Sequence, residues 1–224
     1  MWVKICANTN LADAKLAADA GADAVGFVFA PSPRQVTTEQ VAVITLGLRE
    51  KIKKIGVFDS RNFTEIAKAV RIAGLTGVQL HGGLDLPLAE QLRKEFGGEL
   101  FLIQTLHWLV DGNPVKAEEK FRLELRAVAR QNCVDAVLLD AKTASASGGT
   151  GKNFDWACAS EVLKANTGSL KIIIAGGLNA NNVAEAIRTL QPWGVDVASG
   201  TEASPGTKDS AKVKAFIAAA RATK

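Results

Sequence analysis

Eight short apolar runs, each followed by a stretch of helical periodicity, succeed one another along the 224 residues of this chain. Repeated strand–helix units bury their apolar faces only against neighbouring copies, and their crossovers are right-handed. Such an order closes into a ring or lies open as a doubly wound sheet. The count of eight, with no G-x-G-x-x-G fingerprint, favours the ring. We therefore expect an α/β protein, a single-domain (β/α)8 TIM barrel over residues 1–224 with a parallel eight-stranded core. Each unit has only about 28 residues, so the loops must be short.

The strands are predicted over 2–6, 24–29, 55–58, 78–81, 100–105, 136–140, 170–175 and 195–199. The run at 24–29 is continuously apolar, as in a parallel strand covered on both faces. The helices are predicted over 11–20, from Thr38 as cap to about 50, and over 63–73, 87–96, 115–131, 155–165, 180–190 and 211–222. A short D-A-V or D-V motif at Asp23, Asp135 and Asp196 marks three helix-to-strand junctions.

Composition narrows the function classes. The chain is 47% hydrophobic and 22% charged, enough for a real core. A net charge of +4, spread along the chain rather than gathered in a stripe, suits a small anionic substrate and argues against nucleic acid. No apolar run is long enough to span a bilayer, so no membrane partner is expected. The three cysteines, Cys6, Cys133 and Cys158, have neither disulfide-framework nor zinc spacing, which points to reduced thiols and a cytoplasmic location. Residues 1–6 already read as a strand, so no signal peptide is expected.

In a barrel of this kind the chemistry sits at the C-terminal ends of the strands. That rule selects Cys6, Arg34, Asp59, Gln79, His81, Gln104, Asp140, Gly177 and Ser199. Gly176-Gly177 after the seventh strand and Ser199-Gly200 after the eighth offer unobstructed amides and a hydroxyl. Together, in the last two loops, they predict a phosphate site; singly they would serve tight turns. Cys6 reads as a small core residue or a reactive thiol, and Asp140 as a loop cap or an acid facing Cys6 across the mouth. His81 shares a strand face with Gln79 and reads as an acid–base group, a substrate donor or a loop residue. Arg34 reads as a carboxylate partner or an exposed loop residue. His107 reads as a loop histidine, and Cys133 and Cys158 as structural. The segment 145–152 lacks full nucleotide-loop spacing and reads as a flap over the site.

The motifs, taken in order, resemble the phosphoribosylanthranilate isomerase family of tryptophan biosynthesis. They are Val3-Lys4-Ile5-Cys6, Gly26-Phe27-Val28-Phe29 with Pro33-Arg34, Val78-Gln79-Leu80-His81-Gly82, and Leu138-Leu139-Asp140. Gly148-Gly149-Thr150-Gly151-Lys152 with Phe154-Asp155-Trp156, Ala175-Gly176-Gly177-Leu178, Val195-Asp196-Val197 through Ser199-Gly200, and Ser204-Pro205-Gly206 with Lys208-Asp209 complete the series. The resemblance implies an Amadori rearrangement of N-(5-phosphoribosyl)anthranilate to 1-(2-carboxyphenylamino)-1-deoxyribulose 5-phosphate, without cofactor or metal. It makes Asp140 the acid that opens the ribose ring and Cys6 the base that removes the C2 proton. It puts Arg34 on the anthranilate carboxylate, Gly176, Gly177, Ser199 and Gly200 on the phosphate, and His81 and Asp196 in support. The partner is then one small phosphoribosyl substrate, and the protein a monomer or weak homodimer.

Those roles set physical conditions. Cys6 needs a lowered pKa to act as a thiolate, with a nearby cation or N–H donors holding it against the substrate's negative charge. Asp140 needs partial burial to stay protonated. Two features depart from the family pattern. Ala7 stands where the family usually has Gly, so its Cβ matters if that position needs positive φ. The second loop, around Arg34, is also short. A related phosphosugar isomerase would more often use two carboxylates. A noncatalytic phosphate-ligand protein would keep the glycines and tolerate loss of Cys6.

Overall fold

Runs rich in β-branched and aliphatic residues pair into strands, and the stretches between them fold into helices that pack outside. The computed structural model describes residues 1–109, 114–142, 156–166 and 170–223. Among them, eight parallel strands close into a barrel in sequence order. They are β1 (Trp2–Ile5), β2 (Ala24–Val28), β3 (Lys53–Phe58), β4 (Gly77–Leu80), β5 (Phe101–Leu109), β6 (Ala136–Lys142), β7 (Lys171–Ile174) and β8 (Gly194–Val197). Closure is made by β1, which pairs Lys4 with Ala24 on one side and with Asp196 on the other.

The helices are α1 (Leu11–Asp19), α2 (Thr38–Leu46), α3 (Phe63–Ile72), α4 (Leu86–Phe96), α5 (Pro114–Gln131), α6 (Trp156–Asn166), α7 (Val183–Leu190) and α8 (Ser210–Ala222). Between β8 and α8 lie a 3-10 turn, Ser199–Thr201, and a small hairpin, β9 (Glu202–Ser204) with β10 (Thr207–Lys208). Phe27, Phe121 and Phe216 are fully enclosed between strands and helices. Each such burial contributes about 2–3 kcal/mol relative to exposure. Inside the ring, Ile55, Ile103, Leu138 and Ile173 fill the lower part. Trp2 stacks on Trp193 beneath them, with centroids 5.0 Å apart. No described helix is long and apolar enough to cross a membrane.

The predicted α/β barrel is the one found, with several boundaries corrected. Thr37, not Thr38, caps α2. Its hydroxyl accepts from Gln40 N–H while the Gln40 side chain accepts from Thr37 N–H, a reciprocal pair. That helix stops at Leu46, before Gly47, rather than near residue 50. β5 runs four residues past the predicted end. Thr105 and His107 alternate with Leu106 and Trp108, and the ladder with β6 continues to Leu109. α7 begins at Val183, not residue 180, because Asn side chains take the backbone groups of the preceding turn: Asn182 accepts from Asn179 N–H and donates to Gly177 O. β8 ends at Val197, and Ser199 lies in the 3-10 turn.

Candidate active site

The strand termini open on one cavity of about 310 Å³. Cys6, Arg34, His81, Asp140, Gly176, Gly177, Asp196 and Ser199 all line it, as do Asp59 and Gln79. Gly200 packs against the neighbouring loop instead: a Cβ there would fall 2.0 Å from Leu178 O. The proposed flap at 145–152 lies outside the described residues.

Cys6 follows β1 directly, and its N–H still bonds Val197 O at 2.8 Å. The next residue turns sharply: Ala7 has φ 62. Asn8, fully buried, fastens that turn by donating to Ile5 O at 2.8 Å and Gly26 O at 3.2 Å. Two residues before Cys6, on the same face of the strand, Lys4 is wholly enclosed in the barrel. Its ammonium donates to Asp196 Oδ1 and Gln79 Oε1, both at 2.9 Å. Cys6 Sγ and the end of the Lys4 side chain share the space over Gly26, where a Cβ would lie 2.6 Å from the sulfur and 3.0 Å from Lys4 Cε.

Burial pushes the Cys6 thiol above its ordinary value; the Lys4 charge pulls it back only in part, Asp196 raises it again, and Lys208 lowers it slightly. The lowered pKa that a thiolate base requires is not met in the free protein, because desolvation outweighs the cationic neighbour. Burial by itself would lower the Lys4 pKa, but the Asp196 carboxylate, by its charge and its hydrogen bond, raises it beyond the usual lysine value.

Across the mouth, Asp140 lies on β6 with little exposure. Its Oδ2 is 3.9 Å from His81 Nε2 and 3.8 Å from His107 Nδ1. The two rings stand perpendicular, 4.9 Å between centroids. His107 Nε2 is 3.0 Å from His81 O, which can only accept, so the proton sits on Nε2 and Nδ1 faces Asp140. The Lys4 bond fixes the Gln79 amide with its nitrogen toward His81 Nδ1, at 3.4 Å. That order leaves the His81 N–H on Nε2, the nitrogen 3.9 Å from Asp140 Oδ2. His107 is thus no loop residue; it belongs to β5 and to the acid's surroundings. Among the described residues, His81, His107 and Asp140 also form the one cluster able to hold a cation, with one ligand atom from each lying within 4.8 Å of the others. With its proton on Nε2, His81 serves the carboxyl better than it would a metal.

In the loop after β7, Gly176 and Gly177 have φ 82 and 70, left-handed values that side chains resist. They turn the chain after β7 beside Ser199 of the neighbouring loop, and all three residues line the cavity. Arg34 forks onto Glu202: Nε lies 2.8 and 3.1 Å from its two oxygens and Nη2 2.7 Å from Oε2. Arg34 is therefore not a free loop residue: one edge of its guanidinium is engaged by the protein's own Glu202. Burial raises the Glu202 carboxyl, but the Arg34 hydrogen bonds, Lys208 and the Gly206 N–H together hold it below the ordinary range. Lys208, enclosed nearby, donates to Ala198 O at 3.1 Å. Burial lowers its pKa, with Glu202 opposing.

Sequence reasoning missed Lys4, His107, Glu202 and Lys208. One signal was present for Lys4: a charged residue inside an otherwise apolar parallel strand must be paired. It correctly separated Cys133 and Cys158 from the strand ends, since neither lies among the cavity residues. The three aspartates also part company. Asp23 and Asp135 accept from the backbone of the preceding strand, at Val3 and Leu102, and pair with Arg221 and Arg93. Asp196 lies within β8 and faces the barrel interior.

Residues 3–219 match the family model described as N-(5'-phosphoribosyl)anthranilate (PRA) isomerase. An N-(5'-phosphoribosyl)anthranilate isomerase of Pelobacter propionicus is 42% identical over 223 residues, covering 99% of this chain and 96% of that protein. The crystal structure of phosphoribosyl anthranilate isomerase from Thermotoga maritima aligns with a TM-score of 0.83 and 34% identity, over 99% of this chain and 98% of that one. A phosphoribosyl anthranilate isomerase in complex with reduced 1-(o-carboxyphenylamino)-1-deoxyribulose 5-phosphate aligns with a TM-score of 0.79 and 32% identity, with the same coverage.

Proposed function

The chain belongs to the N-(5'-phosphoribosyl)anthranilate isomerase family, and from that premise we propose that it isomerises N-(5-phosphoribosyl)anthranilate in tryptophan biosynthesis with Asp140 as acid and Cys6 as base. The observation that carries this reading is that both side chains open on one cavity, with the glycine and serine loops after β7 and β8 lying between them around the ring. Asp140 gives its proton to the ribose ring oxygen, and the ring opens to a Schiff base. Cys6, once its thiol proton has passed to solvent, removes the C2 proton; the enolamine becomes the ketone as Cys6 returns that proton to C1 and the C2 hydroxyl gives its own to Asp140. The amides of Gly176 and Gly177, with Ser199, take the phosphate, and Gly200 lets the β8 loop pack closely behind them. The Nη1 edge of Arg34, turned from Glu202, takes the anthranilate carboxylate. His81 Nε2 and His107 steady Asp140, and Asp196 borders the cavity beneath the sugar.

A cytoplasmic protein, monomeric or weakly dimeric and without a nucleic-acid partner, belongs to the same reading. The free thiols of Cys6, Cys133 and Cys158 support it, since a cysteine base survives best in a reducing compartment. The test is a direct assay of purified protein with freshly made phosphoribosylanthranilate, following loss of its fluorescence. Turnover is expected. A folded protein that binds the substrate and leaves its fluorescence unchanged would overturn the assignment.

A further inference from the structure

We propose that Lys4 is the built-in counter-ion of the Cys6 thiolate, a positioning residue that sets how readily the base ionises. The inference rests on the reading of Cys6 as base but concerns a residue that no step of the reaction uses. Lys4 never reaches the cavity. It lies one layer below, on the same face of β1 as Cys6, over the same bare backbone at Gly26.

A wholly buried ammonium is costly unless something uses or neutralises it. Asp196 neutralises it, and that pair alone could be a filler of the barrel interior. Two features go further than filling. The ammonium is tethered on two sides, by Asp196 and Gln79, so its position relative to the sulfur is fixed before any substrate arrives. It is also the strongest influence lowering the Cys6 pKa, against burial, which raises it most. The other charged groups around the thiol are Asp196, which raises its pKa, Lys208, which lowers it, and Arg34, whose guanidinium charge interacts with the same sulfur. A dianionic phosphate entering the cavity makes the thiolate harder to form, and a fixed cation under the sulfur opposes that. Lys4 thus supplies the compensating charge that a cysteine base needs in a site built for an anion.

The experiment is iodoacetamide alkylation of Cys6 against pH, read peptide by peptide by mass spectrometry, with buried Cys133 as internal control. In Lys4→Met the midpoint of Cys6 alkylation is expected to move up by at least one pH unit, about tenfold slower reaction below it. Lys4→Arg should restore most of the shift, and the basic limb of the kcat/KM profile should move in parallel. Asp196→Asn should move the midpoint the other way, because it removes the anion that opposes ionisation. Cys133 should not respond in any variant.

A folded Lys4→Met whose Cys6 profile superimposes on that of the wild type overturns the proposal and leaves Lys4 as filler. If Lys4→Met does not fold, Asp196→Asn decides: an unchanged or raised midpoint overturns it equally. Alkylation is measured without substrate. A protein that fails to turn over phosphoribosylanthranilate yet shows these shifts would sink the functional reading and keep the role of Lys4.

Discussion

Arg34 and Glu202 meet edge to edge, with the guanidinium Nε and Nη2 on the two carboxylate oxygens at 2.7–3.1 Å. The pair joins the loop after β2 to the hairpin after β8, on either side of the cavity mouth. One edge of the fork is engaged by the protein; the Nη1 edge is the part proposed for substrate.

Loosening that clamp should weaken binding before it slows chemistry. Glu202→Gln keeps the shape and removes the charge. It is expected to raise KM about tenfold, about 1.4 kcal/mol, with a smaller change in kcat. Arg34→Lys should do at least as much, because a single ammonium cannot serve two carboxylates as a fork can. Steady-state kinetics of both variants check this; an unchanged KM in Arg34→Lys would remove Arg34 from the binding role.

The same pair makes a pH prediction. Glu202 is held below the ordinary carboxyl value in the folded protein. Its stabilisation is therefore complete above the unfolded pKa of about 4.3 and is lost as pH falls through the lowered folded value. Urea unfolding between pH 6 and pH 3 should show wild-type stability dropping at the acid end. Glu202→Gln should start lower and fall less steeply over the same window.

Ala7 holds φ 62 in the turn that aims Cys6. A Cβ resists that conformation, and glycine does not. Ala7→Gly is expected to stabilise the fold by roughly 0.5–1 kcal/mol after the larger unfolded-state entropy of glycine is counted. That corresponds to a rise in Tm of about 2–3 °C, measurable by thermal unfolding. A fall in Tm would mean that the Ala7 methyl, nearly inaccessible as it is, contributes more by packing than it costs by strain.

Gly177 has φ 70 at the start of the seventh loop. Gly177→Ala should strain that turn and displace its amide from the phosphate. A rise of tenfold or more in the inhibition constant of inorganic phosphate is expected, with Tm reduced by only a few degrees. Unaltered phosphate inhibition would move the phosphate site away from this loop.

What the sequence revealed and what it hid follow from the range of each interaction. The alternation of apolar run and helix is local, so the eight units were legible, and the strand-end rule then found Cys6, Asp140 and the glycine loops. The tail of β5 beyond Thr105 was hidden because His107 looks like a loop residue until β6 is there to pair with it. The Lys4–Asp196 and Arg34–Glu202 pairs each join residues more than 160 positions apart, made neighbours by barrel closure or by the mouth loops. Nothing near either partner in the chain announces the other. The ionisation of Cys6 was hidden for the same reason: its burial and its cation are both properties of the closed ring.

The most direct test of the acid–base assignment is kcat/KM for Cys6→Ala and Asp140→Asn, each with its circular dichroism spectrum. Both variants are expected to keep the wild-type spectrum and to lose activity by roughly 10³-fold or more, as removal of an essential proton-transfer group requires. A folded variant of either kind that retains activity within tenfold of wild type would contradict the account.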